Sequence, residues 1–264
     1  MTNSTAVFPG WTCGPFTGGG FTYDVYRKGS GPGVVLIPEM PGLHPGVWEL
    51  GNHLAGAGFA VAAPSLFGTP GAGIGPGAAL VLARACVAKE FAAFATNKKR
   101  PITDFIRALA RDLNEQTPGR GVGVIGMCFT GGFALAAAVD DAVLAPVLSQ
   151  PSLPIGVSPA IRRDPGVSED ELATVQRRTE TDGLCALGLR FSEDQMAPRE
   201  RFRTLKDRLG DAFEVIEINS APGNPDGLNR FAHSVLTDQV VYKPDHPTFQ
   251  ARERVVEFLT ERLK

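Results

Sequence analysis

Gly121-Val-Gly-Val-Ile-Gly126-Met-Cys128-Phe-Thr130-Gly131-Gly132-Phe-Ala-Leu-Ala-Ala-Ala138 reads as a buried strand running into Cys128, then a helix that begins with little but small residues. A side chain at such a corner sits on a sharp strand-to-helix turn. The turn needs glycines on either side, because a Cβ there would strike the neighbouring backbone. The consequence is a cysteine at the positive end of a helix, where the dipole and free N–H groups favour a thiolate and can hold a developing oxyanion. The same residues also fit a buried structural cysteine, since free Cys is among the most buried residue types.

Around this stretch, short apolar runs alternate with longer helical ones. Val34–Ile37, Gly58–Pro64, Ala142–Leu148, Leu184–Phe191 and Phe213–Ile218 read as strands, and residues 45–57, 78–95, 101–114, 168–178, 198–209 and 248–263 as helices. Strands covered on both faces and separated by helices close into a mainly parallel sheet with helices on both sides, an α/β architecture. Phe21–Arg27 alternates like a half-exposed strand, and residues 1–20, rich in Gly, Thr and Pro, read as an irregular arm. With no repeat, linker or low-complexity tract, residues 1–264 are expected to form one α/β domain preceded by that arm.

Composition narrows the partners. The 264 residues are 43% hydrophobic with a formal net charge of −2, enough for one sizeable core and without the basic excess that favours nucleic acid or an anionic membrane. Small molecules are the expected partners. Cys13, Cys86, Cys128 and Cys185 form no C-x-x-C pair, so no zinc or redox motif is suggested, and they fit reduced thiols. No segment approaches the ~20 apolar residues of a membrane span. A soluble, cytoplasmic protein is expected.

Four local segments bear on the chemistry: Pro38-Glu39-Met40-Pro41-Gly42, Gly126-Met-Cys128-Phe-Thr130-Gly131-Gly132, Asp194-Gln-Met-Ala-Pro198 and Phe231-Ala-His233-Ser234. In their order, and at the ends of the expected strands, they resemble the dienelactone hydrolase family of the α/β-hydrolase superfamily, with Cys at the nucleophile elbow. Thr130 departs from the family pattern, which usually has Gly there. The resemblance implies hydrolysis of an ester or lactone through a thioester acyl-enzyme, with no metal or organic cofactor.

In that fold the orienting acid and then the histidine follow the nucleophile. Of the four histidines, His44 and His53 precede Cys128, while His246 looks like the lead-in to the last helix; His233, after the last strand and a long loop, is the candidate base. Glu193 and Asp194 both follow a strand, and the resemblance favours Asp194, which Pro198 follows four residues later. It also places the Glu39 carboxylate near the thiol, taking part in activating Cys128 when substrate binds. The N–H groups of Met40 and Phe129 are the expected oxyanion hole.

Arg84 is the candidate for a substrate carboxylate, but the family's second Arg, just past the histidine, is missing from Ser234-Val-Leu-Thr-Asp238. Trp48, Phe67 and Phe91 are candidates for the cleft wall. Two other readings stay open: a ligand-binding module of the same fold with a decayed site, and a thioesterase or acyltransferase acting on a larger carrier.

Overall fold

The computed structural model describes residues 8–73, 75 and 77–264. Its eight strands form one sheet: β1 (Thr12–Gly18), β2 (Phe21–Lys28), β3 (Gly33–Ile37), β4 (Ala60–Pro64), β5 (Val122–Met127), β6 (Val143–Ser149), β7 (Ala186–Phe191) and β8 (Phe213–Ile218), in the order β1-β2-β4-β3-β5-β6-β7-β8. From β4 across to β8 every pairing is parallel, and β2 is antiparallel to both of its neighbours.

The helices are α1 (Pro45–Gly56), α2 (Gly77–Val87), α3 (Ile102–Gln116), α4 (Gly131–Ala137), α5 (Pro159–Arg163), α6 (Glu169–Thr181), α7 (Arg199–Leu209) and α8 (Pro247–Leu263). The pleat of β5 decides which core each residue enters. Val122 and Val124 join a core with residues of α3, α4, α6 and α7, whereas Ile125 and Met127 face the opposite core with residues of α1 and α8. Both faces are therefore covered, as the continuous apolar runs predict.

Two expectations are corrected. Residues 12–18 are strand, not irregular arm; residues 1–7 lie outside the described residues. The Gly and Pro content hides a strand that lies at the sheet edge, where Pro15, opposite Asp24, is tolerated. The helix expected over 78–95 ends at Val87. Beyond it the chain is held by non-local bonds, Ile102 N–H to the Glu90 carbonyl at 3.1 Å and Ile155 N–H to the Ala93 carbonyl at 3.0 Å, with Ala92 and Asn97 at positive φ. Among the described residues no helix is long and apolar enough to cross a membrane.

Candidate active site

β5 is central, so the chain leaving it emerges in the middle of the sheet's C-terminal edge. Cys128 opens a short 3-10 turn there, over Cys128–Thr130, and adopts φ +52°, an uncommon conformation for a residue with a side chain. The close approach that follows demands glycine: a Cβ on Gly126 would stand 2.3 Å from the Thr130 carbonyl oxygen, and one on Gly131 would stand 2.6 Å from Pro151 Cα.

Thr130, the departure from the family pattern, is fully buried and has work for its hydroxyl. Its Oγ1 accepts the Met127 N–H at 3.0 Å and lies 3.0–3.3 Å from the carbonyls of Met127, Pro38 and Ile37. The corner is thereby tied to the end of β3, from which Glu39 and Met40 continue. Glycine has no atom to make this link.

His233 arrives from a loop of about the length read in the sequence, folded around Asn224. That side chain donates to the carbonyls of Ala221 and Leu228 and accepts the N–H groups of Asp226 and Leu228. His233 Nδ1 then meets Asp194 Oδ2 at 2.7 Å. Asp194 is 4% exposed and stands just past β7, where its other oxygen accepts the N–H groups of Met196 at 2.9 Å and Ala197 at 3.3 Å. Glu193 makes no such bond to the histidine; its backbone N–H goes to Ser220.

With Nδ1 engaged by the carboxylate, Nε2 faces the Cys128 side. Burial opposes a charge on the imidazole, but the hydrogen bond to Asp194 and then the hydrogen bond and negative charge of Cys128 outweigh it and push the His233 pKa up to about 10. The charged form of the imidazole is the one this arrangement favours.

Glu39 is 1% exposed and follows the end of β3, the strand to which Thr130 ties the Cys128 corner. Its carboxylate accepts hydrogen bonds from Gln150 Nε2 at 3.1 Å, Ser234 Oγ at 2.8 Å and Thr237 Oγ1, and His44 Nε2 stands 3.4 Å away. None of its described hydrogen bonds runs to Cys128. The physical reason is the convergence of these donors on one buried carboxylate, whose oxygens are thereby occupied. Because His44 Nδ1 accepts the Gly46 N–H at 3.2 Å as the cap of α1, the network assigns the ring proton to Nε2, toward Glu39. Burial would raise the Glu39 pKa, yet the hydrogen bonds of His44, Thr237 and Ser234 hold it below the usual carboxylate range.

The Met40 N–H makes no hydrogen bond among the described residues. The Phe129 N–H lies in the first turn of the 3-10 segment, where a helix has no partner of its own for it. Both sit beside the Cys128 corner. Phe129 also packs its ring against Phe67 and Phe91, each 5.6 Å between centroids.

On the far side of those rings lies a cavity of about 610 Å³, lined among others by Pro41, Phe67, Val81, Arg84, Glu90 and Phe91. Arg84, on exposed α2, lines this cavity and shares it with Glu90, whereas Cys128, Asp194 and His233 are not among its lining residues. Trp48 does not line it either. It stacks on Phe8 in the core on the opposite face of the sheet, because it lies on the inner side of α1.

The sequence reading missed Ser152. Its N–H donates to the Cys128 carbonyl at 2.9 Å, and its Oγ lies 3.7 Å from Cys128 Sγ and 3.5 Å from His233 Nε2. A serine in Ser149-Gln-Pro-Ser-Leu-Pro154 carries no local mark of this, since the proximity is made by the adjacency of β5 and β6.

Residues 21–161 match the dienelactone hydrolase family. Among solved structures, a dienelactone hydrolase-like promiscuous phosphotriesterase from metagenomic libraries is similar at 16% identity over 96% of this chain and 98% of that one, with a TM-score of 0.64. The dienelactone hydrolase of Anabaena variabilis ATCC 29413 is similar at 14% identity over 96% and 98%, with a TM-score of 0.61. An alpha-beta serine hydrolase homologue from Coxiella burnetii is similar at 12% identity over 97% and 100%, with a TM-score of 0.53. The shared fold is the α/β-hydrolase fold. No curated protein matches the sequence.

Proposed function

Because this chain belongs to the dienelactone hydrolase family, we propose that it is a cysteine-nucleophile hydrolase that cleaves a small ester or lactone through a thioester acyl-enzyme. The observation that carries the reading is the His233 Nδ1 to Asp194 Oδ2 bond of 2.7 Å, which turns the other ring nitrogen toward a cysteine held at positive φ. A structural cysteine has no need of a buried, acid-oriented imidazole beside it.

In this scheme the proton of the Cys128 thiol resides on His233 Nε2, and the thiolate attacks the substrate carbonyl. The N–H groups of Met40 and Phe129 receive the charge that develops on oxygen; one such preorganised donor typically contributes about 3 kcal/mol. His233 then gives its proton to the leaving alcohol oxygen and, as a base, takes one from the water that displaces the sulfur. Asp194 holds the tautomer and stabilises the imidazolium without itself taking the proton. Glu39 enters through the loops it ties together, as a positioning residue.

The test is steady-state hydrolysis of an enol-lactone, a saturated lactone and p-nitrophenyl acetate. Wild type is expected to turn over at least the enol-lactone, the most activated of the three, and both Cys128→Ala and His233→Ala to abolish turnover. Turnover that survives Cys128→Ala would remove the cysteine as nucleophile.

A further inference from the structure

We infer that Ser152 is a further catalytic residue, whose hydroxyl donates a hydrogen bond to the Cys128 sulfur when that sulfur is negative. The inference rests on the thiol-hydrolase reading and names a group that reading does not use. Ser152 is bound to Cys128 twice, through its N–H to the Cys128 carbonyl at 2.9 Å and through Oγ at 3.7 Å from Sγ, within the longer range of sulfur hydrogen bonds. The same Oγ stands 3.5 Å from His233 Nε2 and 3.0 Å from the Gln150 carbonyl.

A hydroxyl has one proton, so these acceptors compete. With sulfur neutral, as the thiol or the thioester, the Gln150 carbonyl is the better acceptor. A sulfur anion reverses the preference, since charge-assisted hydrogen bonds are roughly twice as strong as neutral ones. The switch is a rotation about Cβ–Oγ that moves no heavy atom. No proton leaves Ser152: the proton of Cys128 goes to His233 Nε2, and Ser152 keeps its own. The same bond favours the thiolate as leaving group when water displaces the acyl group from sulfur.

The loop that carries Ser152 is fixed from behind. Arg201, 1% exposed, donates to the carbonyls of Pro151 at 2.6 Å, Pro154 at 3.2 Å and Asp164 at 2.6 Å. Pro151 in turn presses on Gly131, the first residue of α4. The other titratable groups around the corner are already engaged. His233 is held by Asp194, and Glu39 accepts from Gln150, Ser234 and Thr237 with His44 beside it. Ser152 is the side-chain hydroxyl that stands within hydrogen-bond reach of the sulfur.

The experiment follows alkylation of Cys128 by iodoacetamide across pH, read at the Cys128 peptide by mass spectrometry. It compares wild type, Ser152→Ala and Ser152→Thr, with kcat/KM for p-nitrophenyl acetate measured alongside. Ser152→Ala is expected to move the alkylation midpoint up by about one pH unit and to lower kcat/KM about tenfold. Ser152→Thr, which keeps the hydroxyl, is expected to stay near wild type in both. An unmoved midpoint in Ser152→Ala overturns the inference, whatever happens to turnover, and so does an equal displacement in both variants. Failure of the underlying reading looks different: hydrolysis then survives Cys128→Ala.

Discussion

Glu39 shows what one buried carboxylate can determine. It gathers donors from three segments that meet only at the sheet's C-terminal edge: Gln150 after β6, Ser234 and Thr237 after His233, and His44 at the head of α1. Ionised, it accepts from Gln150, Ser234 and Thr237 at once. Glu39→Gln leaves one acceptor oxygen and sets an amide N–H₂ against hydroxyl donors, so it is expected to cost about 2 kcal/mol or more in urea unfolding. The pH at which Cys128 is alkylated is expected to stay where it is in wild type; a large displacement would instead give Glu39 a direct role at the sulfur. The sign of the pH effect follows from the lowered pKa. The stability Glu39 contributes is present above about pH 4.5 and is lost as pH falls through its depressed folded value.

At the scale of the element, the strand–turn–helix corner is held by contacts that glycine and threonine make for opposite reasons. Gly126 and Gly131 are there because nothing larger fits. Thr130 is there because its hydroxyl reaches from the corner to the end of β3. Thr130→Ala is accordingly expected to leave the Met127 N–H without its acceptor and to destabilise the protein by about 1–2 kcal/mol, read by thermal or urea unfolding. Because the link also fixes the loop that carries Met40, kcat is expected to fall while KM changes little. Insensitivity of both quantities would show that the bridge does nothing.

At the scale of the whole molecule, the His233–Asp194 pair joins the loop after β7 to the long loop after β8, so its ionisation is also a term in folding. The His233 pKa, raised to about 10 from an ordinary value of 6.5, means that the folded state binds the proton more tightly than the unfolded chain does. The stability contributed is fully present below about pH 6.5 and is lost as pH rises to about 10. Urea midpoints of wild type and His233→Asn are therefore expected to differ most near pH 6 and to converge toward pH 10. A constant difference across that range would deny the imidazolium in the folded protein.

The sequence by itself determined the alternation of buried strands and helices, and with it the α/β architecture, because a strand covered on both faces must be apolar throughout and a glycine-flanked corner must be tight. It also brought Cys128 into view at the end of a legible strand, Glu193 and Asp194 just past another, with the family resemblance favouring Asp194, and His233 beyond the long loop that follows the last strand. Edge strand β1 escaped it because a strand with solvent beside it tolerates Gly14 and Pro15, and the apolar continuation past Val87 suggested more helix than forms. Only the tertiary structure decided what the polar groups touch. Glu39 is drawn to donors more than a hundred residues away, and Ser152 meets Cys128 because β5 and β6 pair in parallel. Local pattern encodes which face a residue is on, whereas a hydrogen bond between loops depends on the register of a sheet that no local pattern records.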